Sequence, residues 1–226
     1  MKKIIILLAA VAVVFSACNT GGGSLKTEMD SLAYTVGIDL GQHIKNNIDS
    51  TLNINIVAAA IKDVIKNDPK MDQEAAYAFM TEYFQVRKPA AALKEAEEFL
   101  AGVEKENKQA FKTESGLIYE IIAEGSEKKA VNDNDVVRVT YEGKLKDGKV
   151  FDSSLERGDT VEFALNRVIR GWSEGMKLVG EGGSIRLWIS PELGYGPQGP
   201  PSIGPNQALV FDVNLIEVKA AEEAAQ

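Results

Sequence analysis

The feature that most constrains the fold is a change in hydrophobic spacing at residues 113–117. Before this point, apolar residues recur every three or four positions, as Leu32, Val36, Leu40 and Ile44 do. That period places them along one face of a helix. After it, apolar and polar residues alternate, which is typical of strands with one buried face. The chain is therefore predicted to have a helical first part and a sheet-containing second part.

Residues 1–18 are typical of a targeting segment. Two lysines precede the apolar run 4–15, which is too short to cross a bilayer comfortably as a helix. The following FSAC resembles a bacterial lipobox, in which Cys18 is lipidated and becomes the mature N-terminus. An ordinary secretory signal with an incidental cysteine is the alternative. We expect a lipid-anchored protein of the bacterial cell envelope, on the periplasm-facing side of the outer membrane, with 19–27 as a flexible tether.

Residues 28–112 are predicted to be helical. Asn53 and Asp72 are suited to cap the second and third helices, because their side-chain oxygens can accept from N–H groups at a helix start. Pro89 is expected to end or kink the third helix, since proline lacks the N–H and clashes with the preceding turn. Beyond it, a narrow apolar seam among many charges predicts an exposed connecting helix.

The helices at 28–86 carry more apolar residues than three short helices can bury among themselves. A homodimer would cover the excess. The alternative is a monomeric helical cap on the second domain.

The second part is predicted to be an α+β domain at 113–219, followed by a short tail at 220–226. Its antiparallel sheet would wrap around one short helix at 168–177, with strands at 117–122, 137–145, 160–165, 184–190 and 208–218. Asp147 and Gly148 would supply the positive-φ positions of a hairpin turn. The Gly- and Pro-rich stretch 194–206 is predicted to be an ordered loop at a pocket rim, the alternative being a plain connector.

Several kinds of chemistry are excluded by what the chain contains. Its net charge of -8 and lack of a basic cluster disfavour nucleic acid as a partner. One cysteine and one histidine allow neither an internal disulfide nor a Cys/His zinc site. A Ser-His-Asp triad would need His43, which falls on a predicted helix surface. No metal or cofactor is predicted, whereas aromatic blocks with a few polar neighbours suit an apolar binding pocket.

Four motifs follow one another in the second part: YEGKLKDGKVFDSS, VIRGWSEGM, WISPELGYG and ALVFDVNLIEV. In this order they closely resemble an FKBP-type peptidyl-prolyl isomerase domain. SLAYTVGIDLGQHI and EAAYAFMTEYFQ resemble the N-terminal dimerisation region of the Mip/FkpA-type subgroup. The resemblance implies an enzyme that isomerises proline-containing polypeptides and assists their folding, in a dimer formed through 28–86. An envelope chaperone that binds clients with little or no isomerase activity, and a structural lipoprotein with a relic pocket, are the alternatives.

The resemblance also implies the roles of individual residues. Trp172 would form the floor of the pocket, and its walls would be Tyr141, Phe151, Val168, Ile169 and Phe211, with Phe163 deeper, Val161 in a further wall and Ile203 closing the side. The Ile169 N–H and the Tyr195 hydroxyl would donate to substrate carbonyls. Asp152 would lie near the twisting amide, positioned by Arg157 and the Tyr141 hydroxyl.

Alternatives remain for several of these residues. Phe163, Val168, Phe211 and Trp172 could be plain core, and Asp152 could merely cap a turn. Val161 stands where well-known relatives carry an aromatic residue, and Pro200 and Gly204 alter the rim loop. These departures bear on sequence preference and on the binding of FK506-like macrolide inhibitors, which the resemblance also implies.

Overall fold

The structure, a computed structural model, describes residues 25–48 and 51–221. The predicted signal segment, Cys18, most of the tether and most of the tail lie outside these described residues. The chain divides into two compact units, Met1–Lys70 and Met71–Gln226. In the described ranges, no helix is both long enough and apolar enough to span a membrane.

The first unit consists of helical segments. They are α1 (Glu28–His43), a π-helical turn (Ile44–Ile48) and α2 (Ile54–Ile65). Thr27 caps α1 by accepting from the Asp30 N–H, while the Asp30 carboxylate accepts from the Thr27 N–H. Asn53 caps α2 as predicted, because its side-chain oxygen accepts from the Asn55 N–H at 3.0 Å. Neither α1 nor α2 has a buried residue.

The second unit begins with α3 (Gln73–Glu82), a π-helical turn (Tyr83–Arg87) and α4 (Lys88–Glu106). Asp72 caps α3, as predicted, through the Ala75 N–H at 2.7 Å. Of the two outcomes expected at Pro89, an end or a kink, an end is not observed, because the helical conformation continues from the π-helical turn into α4. The Lys88 N–H reaches back five residues to the Tyr83 carbonyl, and Pro89 then occupies the first turn of α4, where its missing N–H is not required.

The rest of the second unit is a seven-stranded sheet with two short helices. The strands are β1 (Phe111–Lys112), β2 (Ile118–Ala123), β3 (Val136–Leu145), β4 (Val150–Ser153), β5 (Val161–Ala164), β6 (Ser184–Ile189) and β7 (Leu209–Lys219), and the helices are α5 (Ser154–Arg157) and α6 (Arg170–Gly175). The strand order is β1-β2-β6-β7-β3-β4, with β5 also paired to β3, and every pair is antiparallel. The predicted fold class is confirmed.

The turn between β3 and β4 differs in detail from the prediction. Gly148 has a positive φ of 84°, but Asp147 does not share that conformation. Instead, the Asp147 carboxylate accepts from the Lys149 N–H at 3.0 Å. The aspartate therefore stabilises the turn through its side chain and leaves the left-handed position to glycine.

The alternation along the strands divides the sheet's apolar residues between two clusters. The main core holds the predicted inward residues of β3 and β7, among them Val137, Val139, Leu209 and Leu215, together with α6. Residues of opposite parity form a second cluster, in which Ile118 and Trp188 of the sheet pack with Ala96 and Leu100 of α4. The helix expected to be an exposed connector thus buries its narrow seam against the sheet.

Candidate functional site

The short helix α6 brings Trp172 onto the main core. Two glycines, Gly171 and Gly175, lie against β6, where an added Cβ would stand 2.7 Å from side-chain atoms of Ile189 and Leu187 respectively. The helix can therefore approach the sheet more closely than residues with side chains would allow. Trp172 is buried, and its indole Nε1 has no hydrogen-bond partner among the described residues.

Aromatic rings surround Trp172 nearly edge-on. The ring centroids of Tyr141, Phe211 and Phe163 lie 5.2, 5.3 and 5.6 Å from that of Trp172, with interplanar angles of 88°, 87° and 78°. Phe151 in turn stands perpendicular to Phe211 at 5.5 Å. Such edge-to-face contacts are favourable beyond the burial of area, so they hold the rings in a fixed arrangement.

These rings enclose one side of a cavity of about 390 Å³, within the usual size range of ligand sites. Its lining residues are Tyr141, Phe151, Asp152, Phe163, Arg167, Val168, Ile169, Trp172, Tyr195 and Phe211. The cavity is therefore mostly apolar, with a few polar atoms at its edge.

The carboxylate of Asp152 is held by two donors at the edge of this cavity. The Tyr141 hydroxyl donates to one oxygen, and the Arg157 guanidinium donates to the other at 2.5 Å. Burial raises the pKa of Asp152, but the hydrogen bonds from Tyr141 and Arg157 outweigh it, so that pKa lies below its ordinary value. Burial, followed by the bond to Asp152, raises the pKa of Tyr141. The carboxylate is therefore ionised and the phenol protonated at neutral pH.

The side chain of Ser154 holds the backbone of Tyr141 in this position. Ser154 is fully buried, and its hydroxyl accepts from the Tyr141 N–H at 2.9 Å. Because β4 runs directly into α5, Asp152 near the end of the strand and Arg157 at the end of the helix can meet over the Tyr141 hydroxyl.

Two further donors stand at the cavity without a partner among the described residues. Tyr195 is 43% exposed and its hydroxyl makes no hydrogen bond within those ranges. Burial of the Tyr195 hydroxyl, and secondarily the charge of Asp152, raise its pKa, so the group stays a donor at neutral pH. The N–H of Ile169, at the start of α6, likewise meets no acceptor within residues 25–48 and 51–221.

The other predicted site residues take different places. Arg157 contacts the site through Asp152 without lining the cavity. Val161 packs at the edge of the main core, Ile203 is buried in that core, and neither is among the residues that line the cavity. Arg167 does line it, although the sequence interpretation did not single it out. The sequence signal that could have identified Arg167 was its position, two residues before Ile169.

Comparisons with known proteins agree with this geometry. Residues 127–216 match the family model described as "FKBP-type peptidyl-prolyl cis-trans isomerase". Residues 29–121 match the model described as "Domain amino terminal to FKBP-type peptidyl-prolyl isomerase". A relative from Escherichia coli, "FKBP-type peptidyl-prolyl cis-trans isomerase FkpA", is 35% identical over 97% of this chain and 86% of its own length.

The chain belongs to the FKBP-type peptidyl-prolyl cis-trans isomerase family. Within the family, "Peptidyl-prolyl cis-trans isomerase Mip" from Coxiella burnetii is 33% identical over 97% of this chain and 99% of that protein. The crystal structure of FkpA from Escherichia coli covers 88% of this chain and 100% of that one, at 31% identity and a TM-score of 0.62. The predicted FkpA- and Mip-like arrangement, with helices preceding the FKBP sheet, is confirmed, and so is the isomerase class.

Proposed function

We propose that this FKBP-type isomerase twists the peptide bond before proline in the cavity floored by Trp172, and that its substrates are polypeptides still folding in the bacterial cell envelope. The uncatalysed rotation must overcome about 18–20 kcal/mol, because the C–N bond has partial double-bond character. No covalent bond is broken. The enzyme therefore needs only to bind the twisted amide more tightly than the planar one.

The aromatic lining of the cavity supports that role. A planar amide is charge-separated and gains from hydrogen bonds with water, whereas a twisted amide has lost resonance and has a less polar carbonyl. A cavity bounded by Phe151, Trp172 and Phe211 excludes that water and so disfavours the planar form. The proline ring would rest on Trp172.

The polar groups at the edge would hold the two ends of the peptide. The hydroxyl of Tyr195 and the N–H of Ile169 would donate to substrate carbonyls, since both are available donors. Tyr141 donates its single hydroxyl hydrogen to Asp152 and so acts on the substrate through that carboxylate. Asp152, held by Arg157 as well, would present a fixed negative charge to the rotating amide.

The observation that carries the proposal is the ionised Asp152 fixed at the edge of an otherwise aromatic cavity. A protease-coupled isomerisation assay on an Ala-Leu-Pro-Phe-type peptide tests it, using the chain from residue 19 and its Asp152→Ala variant. We expect a clear rate enhancement that falls about tenfold or more in the variant, the size of a lost charge-assisted interaction. Spontaneous rates from a folded wild-type chain would contradict the proposal.

We also propose a cellular location for the enzyme. The lipobox-like FSAC supports cleavage after residue 17, lipidation of Cys18 and a tether at 19–27 that holds the protein on the periplasmic side of the outer membrane. Mass spectrometry of membrane fractions from a bacterial host tests this: a diacylglyceryl-modified Cys18 is expected, and Cys18→Ser should release the chain. An unmodified cysteine in a soluble chain would contradict it.

The homodimer through 28–86 is supported by the exposed apolar residues of this region. Val64, Ile65 and Tyr77 are between 61% and 75% exposed, although they are large and apolar. Patches of this kind on a soluble surface mark interaction sites. A second copy of the chain is the partner we propose for them.

Binding of FK506-like macrolides in the same cavity is supported by its volume and its aromatic lining. Because Val161 and Ile203 do not contribute to the lining, the affinity for such a macrolide should be weaker than in a pocket where residues at these positions also line the cavity. Competition between such a macrolide and the tetrapeptide in the isomerisation assay tests this.

Client binding by the helical region is a second candidate function, favoured by the same exposed apolar residues. Combining Asp152→Ala with Trp172→Phe should weaken isomerisation while suppression of client aggregation persists. If both activities fall together, the pocket rather than the helices holds the clients.

A further inference from the structure

A single residue joins the rim loop of the cavity to helix α4. The side-chain Nδ2 of Asn206 donates to the Pro89 carbonyl at 3.0 Å, and its backbone N–H donates to the Gly196 carbonyl at 2.8 Å. Gly196 follows Tyr195 directly. We infer that Asn206 is a positioning residue for the isomerase reaction, through which α4 holds Tyr195 at the cavity.

The backbone at this point explains why asparagine suits both contacts. Asn206 has a φ of 49°, in the left-handed region that asparagine tolerates better than most residues with side chains. Glycine would accept this conformation too, but it would lack the amide that reaches Pro89. The residue therefore combines a turn conformation with a donor directed at α4.

The Pro89 carbonyl is an acceptor with a fixed position because α4 packs on the sheet. Ala96 and Leu100 of α4 are buried with Trp188 and with Ala208, which lies only two residues after Asn206. Glu95 of α4 also pairs with Lys146 at the β3–β4 turn. The helix and the end of the rim loop thus belong to one packed unit.

Tyr195 depends on this support because its side chain is only half-buried. The side chain is 43% exposed, and its hydroxyl has no partner among the described residues. The direction of the hydroxyl is then set mainly by the backbone at 195–196. The inference rests on the proposed role of Tyr195 as a donor to the substrate, since loss of the Asn206 contact would let that donor move away from the carbonyl.

The test uses the chain from residue 19, which keeps every described residue. Asn206→Gly preserves the left-handed backbone and removes the amide, and Asn206→Asp keeps the shape but sets a carboxylate against the Pro89 carbonyl. Kinetics on the tetrapeptide should show kcat/KM lower by about 3- to 10-fold for Asn206→Gly, the equivalent of one hydrogen bond, and by more for Asn206→Asp. The midpoint of thermal unfolding should change little in Asn206→Gly.

A double-mutant cycle with Tyr195→Phe separates positioning from a general loss of structure. Because Asn206 acts through the Tyr195 hydroxyl, Asn206→Gly should cost little further activity once that hydroxyl is gone. Asn67→Gly is the matched control, since Asn67 also has a positive φ, 56°, and lies in the first unit. It should leave kcat/KM unchanged.

The outcomes distinguish this inference from the proposed function. Wild-type kcat/KM in Asn206→Gly and Asn206→Asp, or an equal loss with and without Tyr195, would overturn the inference while leaving the isomerase proposal intact. A Tyr195→Phe variant with full activity, beside an Asn206→Gly variant without it, would also overturn it. An inactive wild-type chain would overturn both.

Discussion

Large apolar residues are buried in the sheet of the second unit but exposed on the helices of the first unit. Ile185 on β6 is 1% exposed and Leu187 is fully buried, whereas Val64 and Ile65 on α2 are 61% and 75% exposed. The sheet closes a core of its own around α6. In the first unit, neither α1 nor α2 has a buried residue in the part of the chain that the structure describes. A helix gains its stability chiefly from packing an apolar face, and the proposed dimer would supply such a surface to α1 and α2.

The largest effect is expected from placing a charge on the apolar face of α2. Val64→Asp should cost little in a lone chain, but it would bury an unpaired carboxylate in a dimer, at about 3–5 kcal/mol. That weakens association by roughly 10²-fold or more. Analytical ultracentrifugation over a range of concentrations measures it. Lys62→Asp, on the other side of the same helix, is the control, and an unchanged dissociation constant in Val64→Asp would remove this face from the interface.

A matched pair of isoleucines compares the two units directly. Ile185→Ala should lower the free energy of unfolding by about 2–5 kcal/mol at every protein concentration, because the cavity it leaves lies in a closed core. Ile61→Ala, where the side chain is 42% exposed, should cost within about 0.5 kcal/mol in a monomer but more, and in a concentration-dependent way, in a dimer. Denaturant titrations at two concentrations decide this. If both variants lost the same free energy of unfolding at both protein concentrations, the proposed difference between the two units would be wrong.

Alanine substitutions at two glycines compare the effect of an added Cβ beside the cavity with its effect on α4. An added Cβ at Gly143 would stand 2.7 Å from Phe211 and 2.8 Å from Phe151. Gly143→Ala should therefore destabilise the fold by about 1–3 kcal/mol. It should also lower kcat/KM about tenfold by displacing the cavity walls. Gly102→Ala on α4 meets nothing within 4 Å and should stabilise by about 0.5–1 kcal/mol with activity unchanged. If Gly143→Ala changed neither the stability nor kcat/KM, the side chains of Phe151 and Phe211 would be able to move aside, contrary to this prediction.

The smallest effect is expected from pH. The pKa of Asp152 is depressed, so the stability it contributes is present above about pH 3.9 and is lost only as pH falls through its lower folded value. The pKa values of Tyr141 and Tyr195 are raised, so both stay protonated to beyond about pH 10. The kcat/KM for the tetrapeptide should therefore be flat between about pH 5 and 9. A midpoint within that range would contradict the protonation states assigned to Asp152, Tyr141 and Tyr195.

Local signals in the sequence were sufficient for much of this architecture. The caps at Asn53 and Asp72 were predictable because a cap is a contact between residues two or three positions apart. The inward residues of β7 were predictable because strand alternation sorts the side chains by parity. The continuation of the helix through Pro89 was not predictable, because a π-helical turn just before it changed the hydrogen-bond step, which no local propensity indicates.

The sequence by itself determined the two-part organisation and the strand and helix periods, since each depends on neighbouring residues. The aromatic set that surrounds Trp172 was implied by the resemblance to the FKBP family. The resemblance also implied that Tyr141 and Arg157 position Asp152, as they do. Only the tertiary structure decided that Arg167 rather than Ile203 lines the cavity, and that Asn206 reaches Pro89. The physical reason is distance along the chain. Residues 117 positions apart meet only after α4 and the rim loop have packed on the same sheet.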